Sequence, residues 1–502
     1  MATTAGRGAN DRAMSSDSGV SALSLYVPPF RVNLKDWCEW TGNSWEKISA
    51  VVGNSFRVPG RHENVYTMAA NAVLRLIQKN ELDPTRVGFL GLGTESSTDN
   101  AAGAVIVRGM VDRGLEALGL PRLSRHLEVP EFKHACLGGV YALKSALRYA
   151  QCDGADRLAI VVSADVAEYE RGSTGEQTQG AGAVALLVER EPKLFSVDLA
   201  HAGSASDYRG PDFRKPFARH FTEGYAKNTH RLADFPVFSG KYSTMSYLDE
   251  TVLAVEEMLR RLNVSAGTYY ENVAGLFFHR PYHLMPVQAM SFLYVRGLAR
   301  GDHRHAELRA LCDEAKVSFD AVLRETASLP DLYANVHDGG APDDPYVATT
   351  AVASSLRKHP TFRELLARKM SLGSDAVKDL GNLYSAALPA WLAAGFEQAV
   401  ETGVALAGLP LVAVGYGSGD AAEALPITTR PGWESAASRI GFKQALSQAV
   451  DLTRAQYEAL HDGIDVEGLS YTPAREFRIA RVGKSYETTF QDLGVEYYEY
   501  VG

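Results

Sequence analysis

The sequence predicts an α/β fold built from two duplicated halves, and three observations carry that expectation. Short apolar runs bounded by turn residues recur, such as VGFLGLG at 87–93 and LPLVAVG at 409–415, and these have the character of buried strands. Longer runs with apolar residues at helical spacing lie among them, as in 64–79 and 131–150. The order of elements then repeats. A strand ends at Glu95, a small-residue helix follows Cys136 and a strand ends at Asp165; later a strand ends at His279, a small-residue helix follows Asn382 and a strand ends at Ser418. Halves of this kind, joined at their sheets, bring strand ends and helix starts to one central site.

Taken in order, residues 1–19 hold charged residues among Ser, Thr, Gly and Ala without an apolar stretch, and are expected to be a disordered tail rather than a secretory signal. The first half is placed at 20–193 and the second, with insertions, at 194–502. Residues 20–27 form a strand that ends at Pro28-Pro29, and Asn33 starts a short helix through Trp37 and Trp40. Residues 64–79 carry Met68, Ala69, Ala72, Val73 and Leu76 on one helical face. The strand 87–93 delivers Glu95, and 101–118 is helix-like. Residues 155–165 make a strand ending in a carboxylate, and the Gly-rich polar loop 172–182, with Thr178, lines a pocket before the strand 183–188. Residues 195–203 read as one further strand and 204–239 as irregular. A helix over 242–262 and the strand 273–278 lead to His279, with Pro281 preventing an immediate helix. Residues 287–369 are largely helical around a loop at 329–344. Residues 380–399 open with GNLYSAA and continue as an apolar helix, and the aromatic tail 477–501 alternates as strands.

The 502 residues are 46% hydrophobic and 22% charged, with a net charge of −9 and no long basic cluster, which makes nucleic acid and anionic membrane poor partners. No apolar run approaches a membrane span. The four cysteines, Cys38, Cys136, Cys152 and Cys312, are far apart, so neither structural zinc nor a disulfide framework is expected, and a reducing cytoplasm fits.

The stretch EFKHACLGGVYALKSALRYA places Cys136 at or just before a helix N-terminus, where backbone N–H groups and the helix dipole favour a thiolate and can hold an oxyanion. Gly138 and Gly139 would let a substrate approach the backbone closely. Glu95 and His279 each stand at the end of a buried strand, the position where α/β folds place chemistry.

GTES around Glu95, HACLGG around Cys136, GEQTQGAGAVALLVE from Gly175, DFRKP from Asp212, FHRPY around His279, GNLYSA from Gly381 and GYGSG from Gly415 follow one another in the order of the motifs of 3-hydroxy-3-methylglutaryl-CoA (HMG-CoA) synthases. Over residues 20–425 the chain resembles that family, part of the thiolase-like condensing-enzyme superfamily. The resemblance implies a thiolase-like five-layered αβαβα fold and a homodimer. It makes Cys136 the nucleophile that takes an acetyl group from acetyl-CoA, Glu95 the general acid/base, and His279 the partner of the carbonyl of acetoacetyl-CoA. Asn382 and Ser418 match residues that contact the acyl chain, and Gly138, Thr178, Asp212, Tyr384, Lys215 and Arg280 complete the candidate substrate-binding set. No metal or bound cofactor is needed: acetyl-CoA and acetoacetyl-CoA are the substrates.

The sequence departs from the family pattern at Leu137, where an aromatic residue is usual, at Gln177, where proline is common, and at Leu284, where a lysine often binds the CoA phosphates. Arg280, Lys215 or Arg214 would have to replace that charge. Leu284 keeps open an alternative, a β-branching enzyme of polyketide synthesis that takes its acyl group from an acyl carrier protein. An initiating ketoacyl synthase is disfavoured by Glu95. A non-catalytic acyl-binding homologue is disfavoured by the intact Cys136, Glu95 and His279.

Overall fold

The computed structural model describes residues 18–97, 103–154, 156–214, 235–340, 343–466, 468–469 and 471–502. Residues 1–17 of the expected tail lie outside these. Ser18 and Gly19, assigned to the tail from sequence, are the first residues of β1 (Ser18–Tyr26). Serine and glycine there read as polar tail, but Gly19 is pressed against the backbone of residues 195 and 196, where a Cβ would not fit.

Ten strands form one sheet. After β1 they are β2 (Val87–Gly93), β3 (Glu131–Phe132), β4 (Leu158–Ala167), β5 (Gly180–Arg190), β6 (Phe195–Val197), β7 (Gly203–Ser206), β8 (Gly275–Phe278), β9 (Pro410–Gly417) and β10 (Ala421–Thr429). Their order across the sheet is β8-β9-β10-β6-β1-β5-β4-β2-β3, with β7 also on β10. The repeat anticipated from sequence is visible in this topology. In the first half β2 runs parallel to β4, which pairs antiparallel with β5. In the second β8 runs parallel to β9, which pairs antiparallel with β10.

Side-chain alternation explains the layers. Leu90, Leu92, Ile160, Val162, Ala183 and Ala185 point to one face of the first half, packed with α1 (Val65–Lys79) and α2 (Gly103–Ala117). Phe89, Ala159, Val161, Val184 and Leu186 point to the other, into a core shared with α3 (Gly138–Gln151) and α6 (Ala387–Thr402). The middle helices also touch the second half. Leu137 and Val140 fill the space beside Gly415 of β9, and Phe277 of β8 meets Trp391 of α6. On the far side α4 (Gly240–Leu262) covers β7 and β10, with α5 (Leu284–Arg300) against it. The result is five layers, αβαβα.

One expected strand is divided. Within 195–203, Asp198 accepts backbone N–H bonds from Ala200 and His201 and caps a 3₁₀ turn at Leu199–His201, separating β6 from β7. This local Asx-type capping competes with extension. The helical stretch after His279 is as expected: α5 is followed by His305–Ala315, Phe319–Ala327, Val347–Leu356 and Pro360–Lys369.

A buried ion pair ties the middle layer to the second half. Lys144 Nζ of α3 lies 2.6 Å from Glu423 Oε2 of β10, with both side chains under 10% exposed, and Ser204 donates to the same carboxylate. Glu423→Ala would strand the ammonium, and a loss of about 3–5 kcal/mol is expected in denaturant unfolding. The double variant Lys144→Met/Glu423→Met recovers most of it, because apolar groups of similar volume need no partner.

Candidate active site

Cys136 is presented by a tight turn ahead of α3. Ala135 has φ of 41°, in the left-handed region, and Leu137 N–H closes the turn on the His134 carbonyl at 2.9 Å. An alanine held there stores roughly 1–3 kcal/mol of strain, which surrounding packing must sustain. That packing is dense: a Cβ on Gly93 would lie 2.4 Å from the Gly139 backbone, and one on Gly138 would lie 2.5 Å from the Phe132 carbonyl oxygen. The glycine pair thus lets α3 seat against β2 and β3. The space that the missing Cβ of Gly138 leaves faces protein backbone. Leu137, in place of the usual aromatic residue, is fully buried against Gly415 and Gly417 of β9.

A cavity of about 310 Å³ opens over the turn and is lined by Cys136, Thr178, His279, Asn382, Tyr384 and Ser418, among others. Residues from both halves therefore meet there. Gly381, with φ of 77°, abuts the Gln179 carbonyl so closely that no side chain fits, and this junction sets Asn382 beside the loop carrying Thr178. Asn382 Oδ1 accepts the N–H of Tyr384 at 2.9 Å.

Glu95 is placed by Asp165. Asp165 Oδ1 accepts from Thr94 Oγ1, Glu95 N, Ser96 N and Ser96 Oγ at 2.7–3.0 Å, and Oδ2 accepts from Ser385 N and Oγ at 2.9 and 2.5 Å. One carboxylate at the end of β4 thus fastens the Glu95 loop to the segment leading into α6. Burial pushes its carboxyl above the usual range, and the bonds from Ser385 and Ser96 oppose that. The sequence marked Asp165 only as a strand end; its partners come from segments 70 and 220 residues away.

The surroundings of Cys136 act against the thiolate that the helix N-terminus was expected to favour. Burial raises the Cys136 thiol well above its ordinary value, and the charges of Asp165, Glu95 and Asp212 push the same way. Each of these favours the protonated thiol. His279 is also neutral: burial pushes its pKa down to about 3, and among the described residues neither ring nitrogen has a hydrogen-bond partner. In the neutral ring the one nitrogen that carries a proton can donate it to a substrate carbonyl. Histidine-selective NMR should show His279 neutral across about pH 5–8, where an ordinary histidine titrates; titration near 6.5 would contradict this. The stability that depends on a neutral His279 is present at higher pH and is lost as pH falls from 6.5 towards 3, because only the unfolded chain takes up the proton in that window.

Two other candidates are placed elsewhere. Arg280 is buried, donates to Ser374 O and Oγ, contacts His283 Nδ1 at 2.7 Å and lies over Trp391. It lines a smaller adjoining cavity and not the one over Cys136. Asp212 is fully buried behind the wall and accepts from Tyr416 and from the Gly419 N–H. Lys215 lies outside the described residues. Leu284 begins α5, half-buried, while its neighbour Met285 reaches the cavity. Sequence reasoning missed the aromatic wall of Tyr169, Tyr247, Tyr282 and Phe213, since such residues read as ordinary core. Among the described residues no group of His, Cys, Asp and Glu is arranged to hold a metal ion, and no helix is long and apolar enough to cross a membrane.

A family model described as hydroxymethylglutaryl-coenzyme A synthase N terminal matches residues 14–193. A hydroxymethylglutaryl-CoA synthase of Haloferax volcanii is 25% identical over 494 residues, spanning 94% of this chain and 98% of the relative. The chain is thus similar to HMG-CoA synthases, over its first part by the family model and over nearly its whole length by this relative. A synthase of Enterococcus faecalis is 27% identical over 273 residues, 54% of this chain and 63% of the relative. Among solved structures, MvaS in complex with HMG-CoA superposes with a TM-score of 0.73 at 24% identity, over 97% of this chain and 100% of that one. The HMG synthase of the curacin biosynthetic pathway, in complex with an acetyl donor-ACP, does so with 0.68 at 19% identity, over the same shares. The five layers are those of the thiolase-like fold of these structures.

Proposed function

We propose that this chain is an HMG-CoA synthase, condensing acetyl-CoA with acetoacetyl-CoA and releasing HMG-CoA and CoA. The observation that carries the reading is the cavity in which Cys136 of the first half and His279 of the second share one wall, with Glu95 near enough to act on the charge of the same sulfur.

Cys136 attacks the thioester of acetyl-CoA; its S–H proton leaves with the CoA sulfur, giving acetyl-Cys136 and free CoA. Glu95 removes a methyl proton from acetyl-Cys136. The enolate carbon bonds to the ketone carbon of acetoacetyl-CoA, whose oxygen is polarised by His279 and becomes the tertiary alcohol on receiving a proton in the site. Water then cleaves the thioester to Cys136. The apolar, aromatic wall keeps bulk water from the enolate. Neither a metal nor a bound cofactor enters this chemistry, and a cytoplasmic homodimer completes the reading.

CoA is the proposed carrier of the second acyl group. Leu284 offers no charge to its phosphates, and among the described residues the cavity wall holds no Lys or Arg, so the phosphates would be met outside the wall. The test is the discharge of acetyl-Cys136, followed by peptide mass spectrometry. Acetoacetyl-CoA should discharge it. Discharge by an acetoacetyl carrier protein alone would move the enzyme to the carrier-dependent branch.

A further inference from the structure

The loop that walls the cavity is held by a helix that the mechanism above does not use. α7 (Arg454–His461) comes after β10 in the chain. It starts at a capping box, in which the Thr453 side chain accepts the Gln456 N–H and the Gln456 side chain accepts the Thr453 N–H. Tyr457, Leu460 and His461 lie three and four residues apart and so share its buried face. Arg171 fastens the end of the helix, donating to the Glu458 carbonyl at 2.8 Å and lying 3.0 Å from Asp462.

The buried face of α7 meets the segment between β4 and β5, which gives Tyr169, Thr174, Gly175, Gln177 and Thr178 to the cavity. Tyr169 is held at both of its main-chain polar atoms. Its carbonyl accepts from His461 Nε2 at 2.8 Å, and its N–H donates to Gln179 Oε1 at 2.8 Å. Gln179 Nε2 donates to the Tyr457 hydroxyl at 2.8 Å, and that hydroxyl donates to Glu176 Oε1 at 2.9 Å. Glu176 is only 3% exposed and also accepts from Trp37 Nε1 at 3.1 Å and from the Gly172 N–H at 2.6 Å. These bonds run in one direction. A carboxylate only accepts, so the Tyr457 hydrogen turns to Glu176 and its lone pairs are left for the Gln179 NH₂ group. The Gln179 oxygen is thereby aimed at the Tyr169 N–H. The reverse amide would set two buried donors against each other. The ring placed in this way stands at the nucleophile: Ala167, Tyr169 and Tyr384 form one apolar cluster, and Cys136 and Phe213 pack against it. The two tyrosine rings meet edge to face, with 6.4 Å between centroids.

We propose that Tyr457 and Glu176 are positioning residues that set the acyl specificity of Cys136, by fixing Tyr169 in the wall against which that cysteine packs. This rests on the acyl-Cys136 chemistry proposed above. With the hydrogen-bond relay intact the Tyr169 backbone is pinned, the ring cannot retreat, and a chain one methylene longer than acetyl is penalised. With the relay broken the Gln179 amide is free to turn, the Tyr169 N–H loses its assured acceptor, and the wall yields to the longer chain. The specificity of a cavity formed by the two halves is thus held in part by a helix that follows the last strand of the large sheet.

The test uses the full chain and needs no second substrate. Acylation of Cys136 by acetyl-CoA and by propionyl-CoA is followed by peptide mass spectrometry, and the ratio of the two rates is the readout, because a general loss of folded protein lowers both alike. The native protein should favour acetyl. In Tyr457→Phe that ratio should fall by about 10-fold, the lower end of what one methylene is worth to a fitted pocket. Phenylalanine keeps the ring against Trp40, Phe56 and His461, so the fold is retained. Glu176→Gln is the second variant and decides if the first does not fold. Its NH₂ group faces either Trp37 and Tyr457 or the Gly172 N–H, so it loosens the relay or the loop and should lower the ratio as well. An unchanged ratio, or a native protein without preference for acetyl, would overturn the proposal. Failure of the native protein to acylate with either thioester would instead refute the proposed function. The relay is then read by alkylation of Cys136 with iodoacetamide and with the bulkier N-ethylmaleimide: Tyr457→Phe should shift the ratio of rates towards the bulkier reagent, and no shift would overturn the positioning role.

Discussion

Glu95→Ala acylates Cys136 but does not condense, with turnover down by roughly 10²–10⁴-fold, the usual contribution of a general acid/base. The expectation follows from a division of labour in the cavity. Acylation needs only the Cys136 sulfur and a route for its proton to the departing CoA. Condensation needs a base at the methyl group of acetyl-Cys136, and Glu95 is the carboxylate at the end of β2 whose charge already bears on that sulfur. Removing its negative charge also removes one of the influences that raise the thiol. Acetyl-Cys136 should therefore form in Glu95→Ala at least as readily as in the native protein and then persist when acetoacetyl-CoA is added. Cys136→Ala, by contrast, forms no acyl-enzyme. Peptide mass spectrometry of quenched samples reads both outcomes, and condensation by Glu95→Ala at the native rate would refute its role.

Asp165→Ala should damage stability and catalysis together. The carboxylate accepts backbone N–H bonds from Glu95, Ser96 and Ser385, and hydroxyl bonds from Thr94, Ser96 and Ser385. With alanine those buried donors lose their acceptor, at about 1–3 kcal/mol for each group left unsatisfied. A loss of at least about 3 kcal/mol is expected in denaturant unfolding, since partial relaxation spares some donors. Because Asp165 fixes the Glu95 loop to the start of α6, the kinetic defect should fall on condensation and not on acylation. Asp165→Asn keeps the shape but turns an NH₂ group towards donors on one side, so it should retain more stability than alanine while still condensing slowly. Native condensation in both variants would show that Glu95 is held by other contacts.

The elements of this fold were legible where a local pattern decided them. α1 and α3 carry unbroken helical spacing, and the strands at 87–93 and 410–417 are apolar on both faces because helices cover both faces. The convergence of Cys136 and His279 followed from the repeated order of elements. What could not be read depends on distant groups. Asp165 looks like one more strand-end carboxylate until Ser385 arrives from the other half. The helix start beside Cys136 is visible in the sequence, whereas the three carboxylates that raise its thiol come from separate segments. Arg280 was a candidate to replace the charge missing at Leu284, yet its guanidinium turns to Ser374 and Trp391. Nothing in the sequence marks the close approach of the Phe132 and Thr94 backbone to Gly138. The break inside 195–203 did have a signal, since Asp198 two residues before Ala200 is an Asx cap.

Chemical identification of the product is the most direct test of the central claim. Purified protein with acetyl-CoA and acetoacetyl-CoA should yield HMG-CoA by mass spectrometry, and Cys136→Ala should yield none. Equal product from the Cys136→Ala protein, or none from the native protein while Cys136 carries its acetyl group, would contradict the assignment of this cavity to HMG-CoA synthesis.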